Sequence, residues 1–219
     1  MTRAYAVLLA PVVLVQAAGL RRAPLLPEPP GDRTGGKGKL RLVVVGDSTA
    51  VGTGAKTVED AIPGRLGKLL GARWRAVGRN GATSADVLRD FADDAAGGPA
   101  DVAVILVGWN DALKLRSGAA YARDLGALVD RLQTASPDGQ VVVVGPPAFA
   151  DFAVLPQPLR MALGSHAAGL AEVAERIADE HGARFTPGFD GKSVASDGFH
   201  PDGDGYAGMS AAIARALAL

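Results

Sequence analysis

Ser48, His200 and Asp197 are residue types that can break an ester bond if the chain brings them together. A serine hydroxyl is a weak nucleophile until a base takes its proton. Histidine suits that task because its pKa lies near neutrality. A carboxylate on the other ring nitrogen fixes the tautomer. The tetrahedral intermediate then carries an oxyanion that needs preorganised donors. Ser48 follows Gly46-Asp47, and His200 closes the run Asp197-Gly198-Phe199-His200-Pro201. The backbone amides of Ser48 and Gly81 and the side-chain amide of Asn110 are the candidate oxyanion donors. Of the three histidines, His166 lies on an apolar helical stripe with Leu170, and His181 precedes Gly182 at a helix end, where positive charge is favoured. Only His200 sits in a turn three residues after a carboxylate. Asp47 is expected to brace the Ser48 loop and Asp111 to brace Asn110. Taken singly, Ser48 could be a capping serine and Asn110 a turn residue. Their joint occurrence in order favours the chemical reading.

These residues need a scaffold. Leu42 to Val45 form a short β-branched run ending at Gly46, which predicts a buried strand. Trp74–Val77, Val102–Val107 and Val141–Val144 predict three more, and Arg184–Thr186 a short fifth. Helical patterns fall between them. Val58–Leu70 is weakened at its start by Pro63-Gly64. Ser84–Asp94 has Thr83 or Ser84 as its cap. Further helices carry Tyr121 to Leu132 and Leu170 to Ile177, and one spans Tyr206–Leu217. Strand alternating with helix predicts an α/β domain with a parallel sheet covered on both faces. In such sheets ligands bind beyond the carboxyl ends of the strands. The runs holding Ser48, Gly81, Asn110 and His200 all fall just after strands or just before the last helix.

Composition narrows the function. The 219 residues carry no formal net charge and no cysteine. Nothing points to a nucleic-acid groove, and disulfides, thiolate nucleophiles and cysteine-based zinc sites are excluded. Residues 1–22 hold an apolar run over residues 4–20 between Arg3 and Arg21-Arg22. Three readings stand: a signal anchor, a cleaved signal peptide, or a helix docked on the domain or lying on a membrane surface. They favour a membrane-associated or extracytoplasmic location and leave the cytoplasm open. Residues 23–39, with Pro24, Pro27, Pro29 and Pro30 followed by glycines, have linker composition. The main domain is placed at residues 40–219. Oligomeric state leaves no trace in the sequence.

Four blocks in order resemble the SGNH hydrolase superfamily, the GDSL-like lipases and esterases. They are Gly46-Asp47-Ser48, Gly81 within Asn80-Gly81-Ala82-Thr83, Gly108-Trp109-Asn110-Asp111, and Asp197-Gly198-Phe199-His200-Pro201. The resemblance implies a flavodoxin-like three-layer α/β/α sandwich with about five strands. It also implies no metal or other cofactor, and hydrolysis of small-molecule or lipid esters or thioesters through an acyl-enzyme. Gly145-Pro146-Pro147 resembles a substrate-side loop of several members, so Pro146, Pro147, Trp109 and Phe199 are candidate pocket residues. Trp109 stands where the family often has a small residue; it either walls the pocket or only packs. An acyltransferase on the same residues and a catalytically silent module of the same fold are the alternatives. A nucleotide-binding loop fails at Ala55-Lys56-Thr57, which lacks the glycine before lysine. An α/β-hydrolase elbow fails because Ala50, not glycine, stands at its last position.

Overall fold

The computed structural model describes residues 11–19 and 26–217. Arg3, residues 4–10 and 20 of the apolar run, and Arg21-Arg22 lie outside them.

Five strands form where the β-branched runs lie: β2 (Leu40–Gly46), β3 (Ala72–Gly78), β4 (Val102–Leu106), β5 (Gln140–Val144) and β6 (Arg184–Thr186). All pair in parallel in the order β3-β2-β4-β5-β6. Val43, Val44, Val45, Val104, Ile105, Val142 and Val143 are buried from both faces, which is why the runs carry no polar alternation. Burying each such side chain is worth about 1.5–3 kcal/mol. A sixth strand, β1 (Thr34–Gly35), joins the β3 edge antiparallel, with Thr34 opposite Arg75 and Gly35 opposite Trp74. The sheet thus has one strand more than the apolar runs predict, and the extra one lies in the segment of linker composition.

Helices complete three layers. α3 (Ile62–Leu70) and α9 (Gly203–Leu217) pack together on one face. α4 (Ser84–Asp90), α5 (Ala92–Ala95), α7 (Gly118–Ala135) and α8 (Leu159–Glu180) cover the other. α2 (Ser48–Val51) and α6 (Trp109–Leu113) are single turns at strand ends. The helix expected over Val58–Leu70 starts late. Val58–Asp60 is a 3-10 turn, Ala61 is extended, and α3 begins with Pro63 in its first turn, where its missing N–H costs nothing. The helix expected over Ser84–Asp94 breaks at Phe91 into α4 and α5. A capping box between Thr83 and Asp86 starts α4.

Residues 11–19 form α1. The Gln16 side chain donates to the Gln157 carbonyl (2.8 Å) and accepts from the Leu159 amide (3.1 Å), clasping the start of α8. Val13 and Ala17 pack toward the core, while Val12, Leu14 and Val15 face solvent. Among the described residues no helix is long and apolar enough to cross a membrane.

The chain leaves β2 for β3 on one side and returns to β4 on the other, so the topological switch lies between the carboxyl ends of β2 and β4. Both β2 and β3 end in glycine for reasons of space. A Cβ on Gly46 would lie 1.9 Å from the Leu106 carbonyl oxygen, and one on Gly78 would lie 2.0 Å from that of Gly46. The strand ends therefore approach closely just below the site.

Candidate active site

Ser48 opens α2 directly after β2. Asp47 caps that turn: its carboxylate accepts from the Thr49 amide (3.0 Å) and the Thr49 hydroxyl (2.8 Å). This holds the Asp47 carboxylate on Thr49 and leaves the Ser48 hydroxyl for His200. His200 arrives from the other side of the sheet. After β6 the chain folds into a small hairpin, with Ala195 donating to the His200 carbonyl (2.8 Å) and Asp202 to the Ser193 carbonyl (3.0 Å). At its tip, one Asp197 oxygen accepts from the amides of Phe199 (2.9 Å) and His200 (3.0 Å). The other accepts from His200 Nδ1 at 2.6 Å. The three-residue spacing therefore serves twice, closing the turn and fixing the ring. With the proton on Nδ1, Nε2 accepts from Ser48 Oγ at 3.0 Å. Burial opposes ionisation of Asp197, but its bonds from the His200 ring and the two amides outweigh it and lower its pKa. Ser48 and His200 are 4% and 6% exposed, so the row is nearly closed to bulk water.

Asn110 follows β4, across the switch point from Ser48. One of its amide hydrogens goes to the Ala82 carbonyl (3.0 Å), which fixes the side chain and leaves the second hydrogen to point elsewhere. Gly81 sits at φ +75° in the turn after β3, a conformation that favours glycine, and Lys114 Nζ donates to its carbonyl (3.1 Å). Asp111 does not hold Asn110 itself. Its two oxygens accept from the Ser84 amide (2.9 Å) and hydroxyl (2.6 Å), locking the Asn110 turn to the segment after Gly81.

Further positioning residues have no role that the sequence assigns. Asn80, beside Gly81, accepts from the Thr53 hydroxyl (2.6 Å), and its backbone amide donates to Glu28 (3.1 Å). Its side chain donates to the Leu26 carbonyl (3.1 Å). Arg33 pairs with Glu28 and donates to the Gly78 carbonyl (2.6 Å). Residues 26–35 thus strap the Gly81 turn in place. Of these residues, Asn80 lies inside one of the four sequence blocks.

Of the candidate pocket residues, Trp109 and Phe199 meet, their ring centroids 5.5 Å apart. Pro147 borders a small cavity with Trp109. Pro146 packs behind the site: a Cβ on Gly108 would come 2.7 Å from its Cγ. Among the described residues the buried Nε2 of His166 meets no partner, and His181 caps α8 beside Asp130 (2.7 Å).

Asp47 is a strongly perturbed carboxyl beside the nucleophile. Burial, only partly offset by its Thr49 bonds, pushes its pKa up to about 7. The folded protein then holds this proton up to about pH 7, whereas the unfolded chain releases it near 3.8, so this group lowers stability as pH rises between those values. Asp47→Asn keeps an oxygen for Thr49 and cannot ionise. Its stability relative to wild type is expected to rise by about 2–3 kcal/mol between about pH 5 and about pH 8. Urea unfolding of both proteins at the two pH values measures this; a pH-independent difference would contradict it.

A doubly wound α/β domain with a buried serine–histidine–aspartate row at the carboxyl rim of its sheet has the architecture of a serine hydrolase. Residues 44–207 match the GDSL-like lipase/acylhydrolase family, and the chain belongs to that family. A GDSL-like esterase of Mycobacterium tuberculosis is 37% identical over 132 residues, which make up 55% of this chain. The match spans 40% of that relative, less than half its length. Among solved structures, a carbohydrate acetylesterase family member from Sinorhizobium meliloti has 24% identity and a TM-score of 0.64, covering 82% of this chain and 100% of that one. A phospholipase A1 from Streptomyces albidoflavus has 19% identity and a TM-score of 0.62, covering 82% and 98%. At these identities the likeness is one of fold.

Proposed function

We propose that this protein is a serine esterase that cleaves carboxylic esters through an acyl-enzyme on Ser48. The observation that carries the reading is the hydrogen-bonded row, Ser48 Oγ to His200 Nε2 at 3.0 Å and His200 Nδ1 to Asp197 at 2.6 Å. Ser48 Oγ attacks the ester carbonyl as its proton passes to His200 Nε2. Asp197 stabilises the imidazolium. The amides of Ser48 and Gly81 and the Asn110 side chain receive the oxyanion. Collapse expels the alcohol with the proton from His200. A water then attacks the acyl-enzyme by the same route and releases the acid.

A fluorophosphonate probe tests the reading directly: wild-type protein should label at Ser48 and hydrolyse p-nitrophenyl esters. Protein that neither labels nor hydrolyses would refute it. Asn110→Ala should lower kcat by about 10²–10³-fold with a smaller change in KM, because a donor aimed at the oxyanion acts mainly in the transition state. Steady-state kinetics on one ester check this. An equal rise in KM with kcat unchanged would show that Asn110 binds the ground state instead.

A further inference from the structure

Trp109 lies where the two poles of the site meet. It directly precedes Asn110 in the chain. Its indole also lies nearly parallel to the His200 ring, 5.8 Å between centroids at 9°. On the esterase reading, three directions around the reacting carbon are already assigned. Ser48 Oγ approaches along one, the carbonyl oxygen faces the amide donors along the second, and the leaving oxygen faces His200 Nε2 along the third. The acyl chain takes the fourth. A bulky ring stacked on the base, one residue before the Asn110 donor, restricts the space left for it.

The indole cannot easily swing away. It is 5% exposed. Phe149 and Phe152 each meet it edge-on at 5.6 Å, and Phe189 lies nearly parallel at 6.4 Å. Phe199, next to His200, covers it at 5.5 Å. Aromatic contacts of this kind hold one orientation. The indole also borders a cavity, shared with Asp47, Thr49, Pro147 and Phe189, that measures about 10 Å³. That is about the room one water centre needs, far below the several hundred Å³ of a chamber for an extended ligand.

We propose that Trp109 is the specificity-determining residue for the acyl group and restricts the enzyme to acetyl- and propionyl-sized esters. This rests on the esterase reading above and adds the substrate class. A short acyl group needs no chamber. A longer one meets a fixed aromatic wall and gains no buried contact in return. Shortening Trp109 joins the small cavity to the site and opens a path for additional methylenes.

The test keeps the leaving group constant. Background-corrected kcat/KM is measured for p-nitrophenyl acetate, butyrate and octanoate on the full chain, for wild type, Trp109→Ala and Trp109→Leu. The readout is the ratio of octanoate to acetate within each protein, so a general loss of activity cancels. Wild type should show a ratio below about 0.01, since a single misfitting methylene is worth about 10- to 200-fold. The variants should raise that ratio at least about tenfold. Should both variants fail to fold, wild type alone still decides, using the rates at which p-nitrophenyl alkylphosphonates of increasing chain length inactivate it. A wild-type protein that labels with fluorophosphonate but turns over octanoate as well as acetate would overturn the proposal. So would folded variants that keep the wild-type ratio. Absence of both labelling and turnover would instead refute the esterase reading.

Discussion

Replacing Ser48 by alanine is expected to lower kcat by about 10⁴–10⁶-fold while the fold survives. Ser48 is 4% exposed, and among the described residues its side chain bonds to His200. The turn around it is held by other groups. Asp47 caps Thr49, and the amides of Gly52 and Thr53 bond to the Ser48 carbonyl, which alanine retains. Loss of the hydroxyl therefore removes the nucleophile with little structural consequence. Fluorophosphonate labelling should vanish, p-nitrophenyl ester turnover should fall toward the background of the oxyanion donors alone, and the melting temperature should stay near that of wild type. A folded Ser48→Ala protein that still labels, or hydrolyses within about tenfold of wild type, would place the nucleophile elsewhere.

Asp197→Asn should cost about 10⁴-fold in kcat for a different reason. An asparagine can keep the oxygen that receives the Phe199 and His200 amides, so the hairpin tip closes as before. Its other atom becomes a donor facing His200 Nδ1. The imidazole then carries its proton on Nε2 and can no longer accept one from Ser48. Asp197→Ala removes the turn closure as well. The pair of variants separates the two duties of this carboxylate. Both should lose activity, but only the alanine variant should melt markedly earlier. An asparagine variant retaining more than about a tenth of wild-type kcat would mean that the tautomer is not controlled from this side.

Much of the scaffold was legible because parallel strands covered on both faces have no reason to alternate. Val43 to Val45, Val102 to Leu106 and Val141 to Val144 are apolar throughout, and each ends where polar or glycine-rich turns begin. The positions of Ser48, Gly81, Asn110 and His200 follow from the same rule, since strand ends on one rim converge whatever their separation along the chain. β1 was not legible. Thr34-Gly35 is two residues long, lies among prolines and glycines, and is a strand only because β3 offers it an edge. The tie from Glu28 to Asn80 is invisible for a related reason: an exposed-looking glutamate in a loop declares no partner. Trp109 could be read either as a wall or as packing. The rings that pack on it, Phe149, Phe152, Phe189 and Phe199, come from two separate loops and give no sign of this in the sequence. The break at Phe91 was hidden because the sequence on both sides of it is equally helical.

β1 also covers an edge of the sheet that would otherwise be open to pairing. A bare β3 edge would offer a row of unsatisfied amides and carbonyls to any other chain. Here the Ala76 amide reaches the Arg33 carbonyl, the Arg33 guanidinium takes the Gly78 carbonyl, and Gly36 runs so close to β3 that a Cβ there would lie 2.2 Å from the Ala72 carbonyl oxygen. The opposite border, β6, is three residues long and starts with an exposed arginine. Among the described residues both flanks of the sheet are short strands, and short edges disfavour the addition of a strand from a neighbouring molecule.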